Sequence, residues 1–238
     1  MIKLGVLGAG GRMGRRIIEL ALKDKEFEVT LALEKKGSTL SGKNIDKVKI
    51  STNPDGIFLV DVVIDFTLPE ASMENLGYML QYKKPLVLAT TGFKDEEISK
   101  IKEAAKTIPI VFSPNMSIGV NLLFDVAGDI AKRLGPAYDI EIVEAHHKAK
   151  KDAPSGTAQR LGQVIANATG RNITIHAIRA GDIVGDHTVF YVGGGERIEI
   201  KHQAHSRDVF AIGALKAAKW VVKKGAGLYS MQDVLLRP

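Results

Sequence analysis

The sequence predicts an α/β protein of two domains: a parallel sheet covered by helices on both faces, then an α+β unit with an open mixed sheet. Two observations predict this. Up to about residue 116, short apolar runs alternate with segments whose apolar residues recur at helical spacing, the pattern of a parallel sheet with crossover helices. Beyond about residue 117 come two long helical segments and then runs such as "ERIEIKHQA", whose apolar–polar alternation suits a more open mixed or antiparallel sheet. The boundaries that follow are 1–116 with 207–238 for the first domain and 117–206 for the second, the carboxyl-terminal tail returning to the first.

Taken in order, "IKLGVLG" (2–8) reads as a buried strand and "RMGRRIIELALKD" (12–24) as a helix with Met13, Ile17, Leu20 and Ala21 at helical spacing. "FEVTLALE" (27–34), "LVDVVIDFT" (59–67), "PLVLATTG" (85–92) and "IPIVFSPNM" (108–116) read as further strands, with a helix from Lys94 to Lys106 between the last two. The second domain opens with a helix over 118–134, continues with the strand "YDIEIVEAHH" (138–147), and has a helix from about Thr157 to Ala168. Strands are expected at 172–179, 187–192, 196–203 and 207–212, and a closing helix over 211–224.

Composition narrows the function classes. The 238 residues, 45% hydrophobic and 25% charged, suit a globular protein with real cores. The net charge of +6 is spread along the chain and suits an anionic ligand; there is no arginine-rich arm or basic stripe interleaved with aromatics, so nucleic acid is not the expected partner. With no cysteine there are no disulfides, thiolate chemistry or cysteine-ligated metals. "MIKLGVLGAG" is too short and glycine-broken for a signal or a span, and no run reaches ~18 apolar residues, so a cytoplasmic chain is expected.

"GVLGAGGRMGRR" lies after the first strand and opens the first helix, where a dinucleotide fingerprint belongs. Gly8 is expected to make the tight turn, and Gly10 or Gly11 to let the backbone approach a pyrophosphate that the helix amides favour. The spacing departs from G-x-G-x-x-G: Met13 stands where the third glycine is due, and Gly14 follows. Glu34 ends the second strand, where an acid can bond an adenosine ribose, and Lys35 and Lys36 follow to meet a 2′-phosphate. A solvated turn is the plain alternative. "ATTGF" (89–93) and "FSPNMS" (112–117) close two more strands with small, polar residues; these suit a flat nicotinamide, or ordinary strand-to-helix turns.

"EAHHKAKKDAPSGTAQ" (144–159) asks for more than a solvated charge run. His146 and His147 are adjacent in an extended segment, so their rings face opposite ways, which argues against one shared metal. Lys150 follows four residues past His146; Ser155 can cap a helix beginning at Gly156 and Thr157, whose amides suit a carboxylate. The assembled picture is a pocket for a small dianion with an imidazole and an ammonium group as proton donors. A basic loop ahead of an ordinary helix is the alternative.

From these residues the chain is identified as closely resembling the 4-hydroxy-tetrahydrodipicolinate (dihydrodipicolinate) reductase family. The motifs are "GAGGRMG" (8–14), "ALEKKGS" (32–38), "DFTLPEA" (65–71), "ATTGF" (89–93), "SPNMSIGVN" (113–121), "EAHHKAKKDAPSGTA" (144–158), "RAGDIVGDHTV" (179–189) and "GERIEIKHQAHSRDVFAIGA" (195–214). The resemblance implies a Rossmann-like first domain and a second domain whose sheet forms a homotetramer. It implies NADH and/or NADPH bound by Gly8, Ala9, Gly10, Gly11, Arg12, Met13, Glu34, Lys35, Ala89, Thr90, Thr91, Ser113, Pro114, Asn115 and Met116. Lys35 stands where relatives often carry arginine, keeping the charge but losing the bidentate fork. Ala89 stands where many have glycine. The resemblance further implies His146 and Lys150 as catalytic groups, with His147, Ser155, Gly156, Thr157 and Thr91 at a dicarboxylate substrate. The reaction implied is reduction to tetrahydrodipicolinate with loss of water, in lysine biosynthesis through diaminopimelate. Another two-domain amino-acid dehydrogenase, or a nucleotide-sensing regulator without chemistry, are the competing readings; neither accounts for the Lys150–Thr157 stretch with His146.

Overall fold

The computed structural model describes residues Met1–Leu236; the last two residues of the expected carboxyl-terminal return, Arg237 and Pro238, lie outside the described residues. The strands are β1 (Ile2–Leu7), β2 (Phe27–Leu33), β3 (Asn44–Ile45), β4 (Val48–Ser51), β5 (Val62–Asp65), β6 (Leu86–Leu88), β7 (Pro109–Phe112), β8 (Asp139–His146), β9 (Thr174–Arg179), β10 (Gly185–Val192), β11 (Arg197–Ala204) and β12 (Gly227–Tyr229). The helices are α1 (Arg12–Ala21), α2 (Pro69–Tyr82), α3 (Asp95–Ala104), α4 (Ile118–Leu134), α5 (Gly156–Thr169), α6 (Asp208–Val221) and α7 (Met231–Leu236). The chain divides into two units, Met1–Ser117 with the chain from Phe210 onward, and Ile118–Val209.

In the first unit the strand order is β12-β7-β6-β5-β1-β2-β4-β3, parallel except for the short β3. "VVID" of β5 and "LVL" of β6 are buried at every position, as strands covered on both faces must be. One face packs Leu4, Val6 and Ile64 against Ile17, Ile18 and Ala21 of α1 and against Ala214, Ala218 and Val221 of α6. The other packs Val63, Leu86 and Ile110 against Leu76 and Met79 of α2 and Ile101 of α3. From β1 the order runs outward through β2 to one side and through β5, β6 and β7 to the other. The switch between β1 and β5 opens the crevice in which such sheets take their ligands. Among the described residues no helix is long and apolar enough to cross a membrane.

In the second unit the order is β11-β10-β8-β9, antiparallel except for the β8–β9 pair. Phe124 and Ala127 of α4 and Leu161 and Ile165 of α5 cover one face, against Ile140, Ile142, Val189 and Tyr191. The buried Tyr191 hydroxyl donates to the Ala127 carbonyl at 2.8 Å, so its burial leaves no unmade bond.

Two differences from the sequence reading are instructive. The strand expected at 207–212 is the first part of α6: Ser206 Oγ accepts the Asp208 amide at 3.1 Å, a local side-chain turn that leads into a helix through β-prone "VF". Periodicity also misses α2, a helix with polar residues scattered round it, which is announced instead by Pro69 in its first turn.

Candidate active site

In the first unit Gly8 sits at φ +72°, past the end of β1, and its amide and that of Ala9 both donate to the Leu33 carbonyl, at 2.9 and 3.1 Å. The turn therefore presses against the end of β2. A Cβ on Gly14 would fall 2.1 Å from the Gly8 carbonyl, so α1 can leave this turn only with glycine there. Gly10 is confined by side chains rather than backbone: a Cβ would meet Leu40 Cδ1 at 2.3 Å and Glu34 Oε1 at 3.1 Å, and the leucine would have to move aside. Its bare backbone lets the amide donate to Glu34 Oε1 at 2.7 Å. The acid at the tip of β2 and the glycine turn are thus one piece. Gly11, the N-cap of α1, offers no side-chain cap, leaving first-turn amides for an anion. Beside the turn lies a cavity of about 420 Å³ lined by Gly8, Gly11, Glu34, Lys35, Lys36 and Thr67, with Asn75 and Tyr78 contributed by α2. A bare-backbone turn, an acid and two lysines fit the pyrophosphate and ribose of a dinucleotide.

Ala9 is buried in the core, Gly10 and Met13 are half-buried, and Arg12 is exposed. Ala89, Thr90 and Thr91 follow β6, and Ser113, Pro114, Asn115 and Met116 follow β7, along the same edge but outside that cavity's lining. Of these, Ala89, Thr90, Ser113 and Met116 are buried and Thr91 and Pro114 exposed. Thr90 is held from within. Its hydroxyl accepts from Ser72 Oγ at 2.8 Å and donates to Asp65 Oδ1 at 3.4 Å. Asp65, wholly buried, also receives the Thr67 amide and hydroxyl at 2.8 and 2.6 Å. Burial pushes its carboxyl above the ordinary aspartate range, against these bonds. This knot joins the ends of β5 and β6 to α2, and nothing in the spacing announces it.

In the second unit β8 delivers His146 at its last residue, 8% exposed. His147 is half-buried beyond the strand end, and Lys150, whose amide donates to the His147 carbonyl at 3.0 Å, lies in the following turn. The Lys150 ammonium pairs with Asp152 Oδ1 at 2.8 Å, and this bond holds the Asp152 carboxyl below its ordinary range. Ser155 is the N-cap of α5: its Oγ accepts the Ala158 amide at 3.2 Å, leaving Gly156 and Thr157 at the helix start.

What binds these pieces together is Glu144, completely buried. Its Oε2 lies 2.5 Å from His146 Nδ1, its Oε1 accepts the Ser155 amide at 3.0 Å, and Arg179 of β9 grips both oxygens at 2.7 and 2.9 Å. Burial opposes its ionisation, yet Arg179, His146 and the Ser155 amide together hold its carboxyl below the usual glutamate range. His146 is lowered by burial, against the pull of Glu144. His187 of β10 stacks edge-on to His146 at 5.3 Å, and burial, assisted by His146, drives its pKa down to about 4. Glu144, Arg179 and His187 were not legible as site residues from local motifs. The one available signal was that Glu144 precedes His146 by two in a strand, so both point to the same side.

A parallel-sheet unit with a glycine turn and an acid-tipped second strand, carried on one chain with a carboxylate-held imidazole at a helix start, defines a two-domain pyridine-nucleotide-dependent oxidoreductase. Residues 2–116 match the family "Dihydrodipicolinate reductase, N-terminus" and residues 119–235 match "Dihydrodipicolinate reductase, C-terminus". The 4-hydroxy-tetrahydrodipicolinate reductase of Geotalea uraniireducens (strain Rf4) is 46% identical over 264 residues, covering 99% of each chain. The chain belongs to the dihydrodipicolinate reductase family, and is a reductase dependent on a pyridine nucleotide. Among solved structures, the dipicolinate-bound dihydrodipicolinate reductase from Paenisporosarcina sp. TG-14 has the same fold, with a TM-score of 0.82 at 24% identity over 97% of both chains. The aspartate dehydrogenase from Thermotoga maritima shares the fold more loosely, with a TM-score of 0.57 at 16% identity over 94% of this chain and 98% of that one.

Proposed function

We propose that the chain reduces 4-hydroxy-tetrahydrodipicolinate to tetrahydrodipicolinate, with loss of water, in lysine biosynthesis through diaminopimelate. The observation that carries this reading is the junction at Glu144, which ties a buried imidazole to a helix start, with a lysine in the intervening loop. A dicarboxylate needs fixed donors for its charges, and Ser155, Gly156 and Thr157 at the start of α5 are suited to one carboxylate. Lys150 and His147 add polar and positive groups from the preceding turn. His146 is the acid or base at the ring, with Lys150 the second candidate donor; a positioned acid of this kind contributes ~10²–10⁴-fold.

The first unit is the dinucleotide domain and the second the substrate and assembly domain. Bound NAD(P)H supplies a hydride to the substrate ring. Glu34 holds the ribose, while Lys35 and Lys36 meet a 2′-phosphate, so both NADH and NADPH are used; Thr91 and the segments 89–91 and 113–116 border the nicotinamide. Ile178 and Val192 remain exposed on the face of the second sheet away from α4 and α5 and support a homotetramer built on it. The enzyme works in the cytoplasm.

The test is a coupled assay. Substrate is generated from pyruvate and aspartate semialdehyde by the upstream synthase, and oxidation of NADH and of NADPH is followed separately. Substrate-dependent oxidation inhibited by pyridine-2,6-dicarboxylate supports the reading. Binding of both nucleotides without oxidation of either removes it and favours a sensor.

A further inference from the structure

Glu144 is a costly residue to keep. A carboxylate with no solvent exposure must be met by donors on both oxygens or it destabilises the fold. Here three elements converge to supply them. His146 shares the face of Glu144 on β8; Arg179 lies opposite His146 in the parallel β8–β9 register; Ser155 brings its amide from the head of α5. An ionised carboxylate only accepts, so His146 Nδ1 must carry hydrogen and donate to Oε2. The ring's other nitrogen is then its only proton-exchanging atom. Among the described residues Nε2 has no hydrogen-bond partner, and Gly185 keeps one side of it clear: a Cβ there would stand 3.1 Å from Nε2.

We propose that Glu144, clamped by Arg179 and the Ser155 amide, is a positioning residue that holds His146 in the Nδ1–H form and so confines proton transfer to Nε2. The inference rests on the reading of His146 as the acid or base. In the acid direction Nε2 first takes a proton from solvent to give the imidazolium; the Nε2–H bond then breaks, its electron pair stays on the ring as the proton passes to the reduced substrate, and the neutral Nδ1–H ring is left. The surroundings tune this group from every side. Glu144 favours the imidazolium, Arg179 and Lys150 oppose it, Asp152 pairs with Lys150, and His187 is neutral near pH 7. Burial, together with the charges of Lys150 and Arg179, offsets the pull of Glu144, so the ring can both give and regain a proton.

The test measures the ring and the turnover on the full chain. Long-range proton–nitrogen NMR reads the tautomer and titration of each of the 6 histidines, with His146 assigned by its loss in His146→Gln. Expected is a neutral Nδ1–H ring in the wild type. Glu144→Gln should lower the His146 titration point and mix or flip the tautomer, because a glutamine amide can donate to Nδ1. Its kcat near neutral pH should fall about 10- to 100-fold with the KM for NAD(P)H changed less than about twofold. If His146 acts as the acid, the alkaline limb of kcat should move to lower pH in Glu144→Gln and to higher pH in Arg179→Gln.

A neutral Nε2–H ring in the wild type overturns the proposal. So does a His146 titration and tautomer unchanged by Glu144→Gln. If Glu144→Gln does not fold, Arg179→Gln still decides, since a His146 titration that fails to rise there overturns it. A wild type with the expected tautomer but no substrate-dependent oxidation leaves the positioning role standing and removes the function. Turnover with the opposite tautomer does the reverse.

Discussion

At the end of β1 the working surface is mainly backbone, whereas at the end of β8 it is mainly side chain. Gly8, Gly10 and Gly14 act by what they lack, and the acid that accompanies them, Glu34, is tied down by a single amide. His146 and Glu144 act through charge, and charge in a buried place must be answered by more charge, so the site recruits Arg179 and the Ser155 amide from separate elements. A site made of backbone is upset by an added atom, most of all at Gly14; a site made of buried charge is upset by a missing partner. The two should fail in different ways.

The largest effect expected is from His146→Gln. If its role lies in the transition state, kcat should fall by ~10²–10⁴-fold, while the Kd for NADH measured by fluorescence stays within about twofold. Normal turnover would take His146 out of the mechanism and leave the contrast between the regions without its chemical half.

Next comes pH. His187 has a folded pKa of about 4 against an ordinary 6.5. The unfolded chain therefore binds a proton that the folded chain refuses between those values. Stability from this residue is fully present above about pH 6.5 and is lost as the pH falls toward 4, by about 3 kcal/mol. Urea unfolding at pH 7.5 and 4.5 should show a steeper acid loss in the wild type than in His187→Gln. Equal losses would mean that the imidazole is not the buried neutral group described.

Smaller, and confined to the other region, is Gly14→Ala. Its Cβ would collide with the Gly8 carbonyl at 2.1 Å, so a loss of about 1–3 kcal/mol in stability and weaker binding of both nucleotides are expected. The His146 titration should be unmoved. The smallest effect is from Lys35→Ala: NADPH should bind about fivefold more weakly and NADH unchanged, since only a 2′-phosphate needs an exposed cation there. Equal loss for both, or none, would sink that assignment.

Much of this was legible in order along the chain. The strand–turn–helix at 2–21 needs only neighbouring residues, and α4 was bounded at 118–134 by its apolar spacing. The start of α5 was announced by Ser155 ahead of Gly156, because capping acts over three residues. The misreading at 207–212 was also local: strand propensity in "VF" lost to a helix that follows directly on a side-chain turn at Ser206. Other features lay outside any local rule. Asp65 gathers Thr67, Ser72 and Thr90 from three separate segments, and Arg179 reaches Glu144 only because β9 pairs with β8 in one register.

By itself, then, the sequence determined the alternation of elements, the glycine turn, the family and the presence of an imidazole near a helix start. Each of these rests on interactions between residues a few positions apart or on motifs that survive as strings. Only the tertiary structure decided which nitrogen of His146 is bonded, what neutralises Glu144 and why His187 stays uncharged. Those depend on burial and on partners from distant segments of the chain, and a buried charge has no meaning until the fold has removed the water around it.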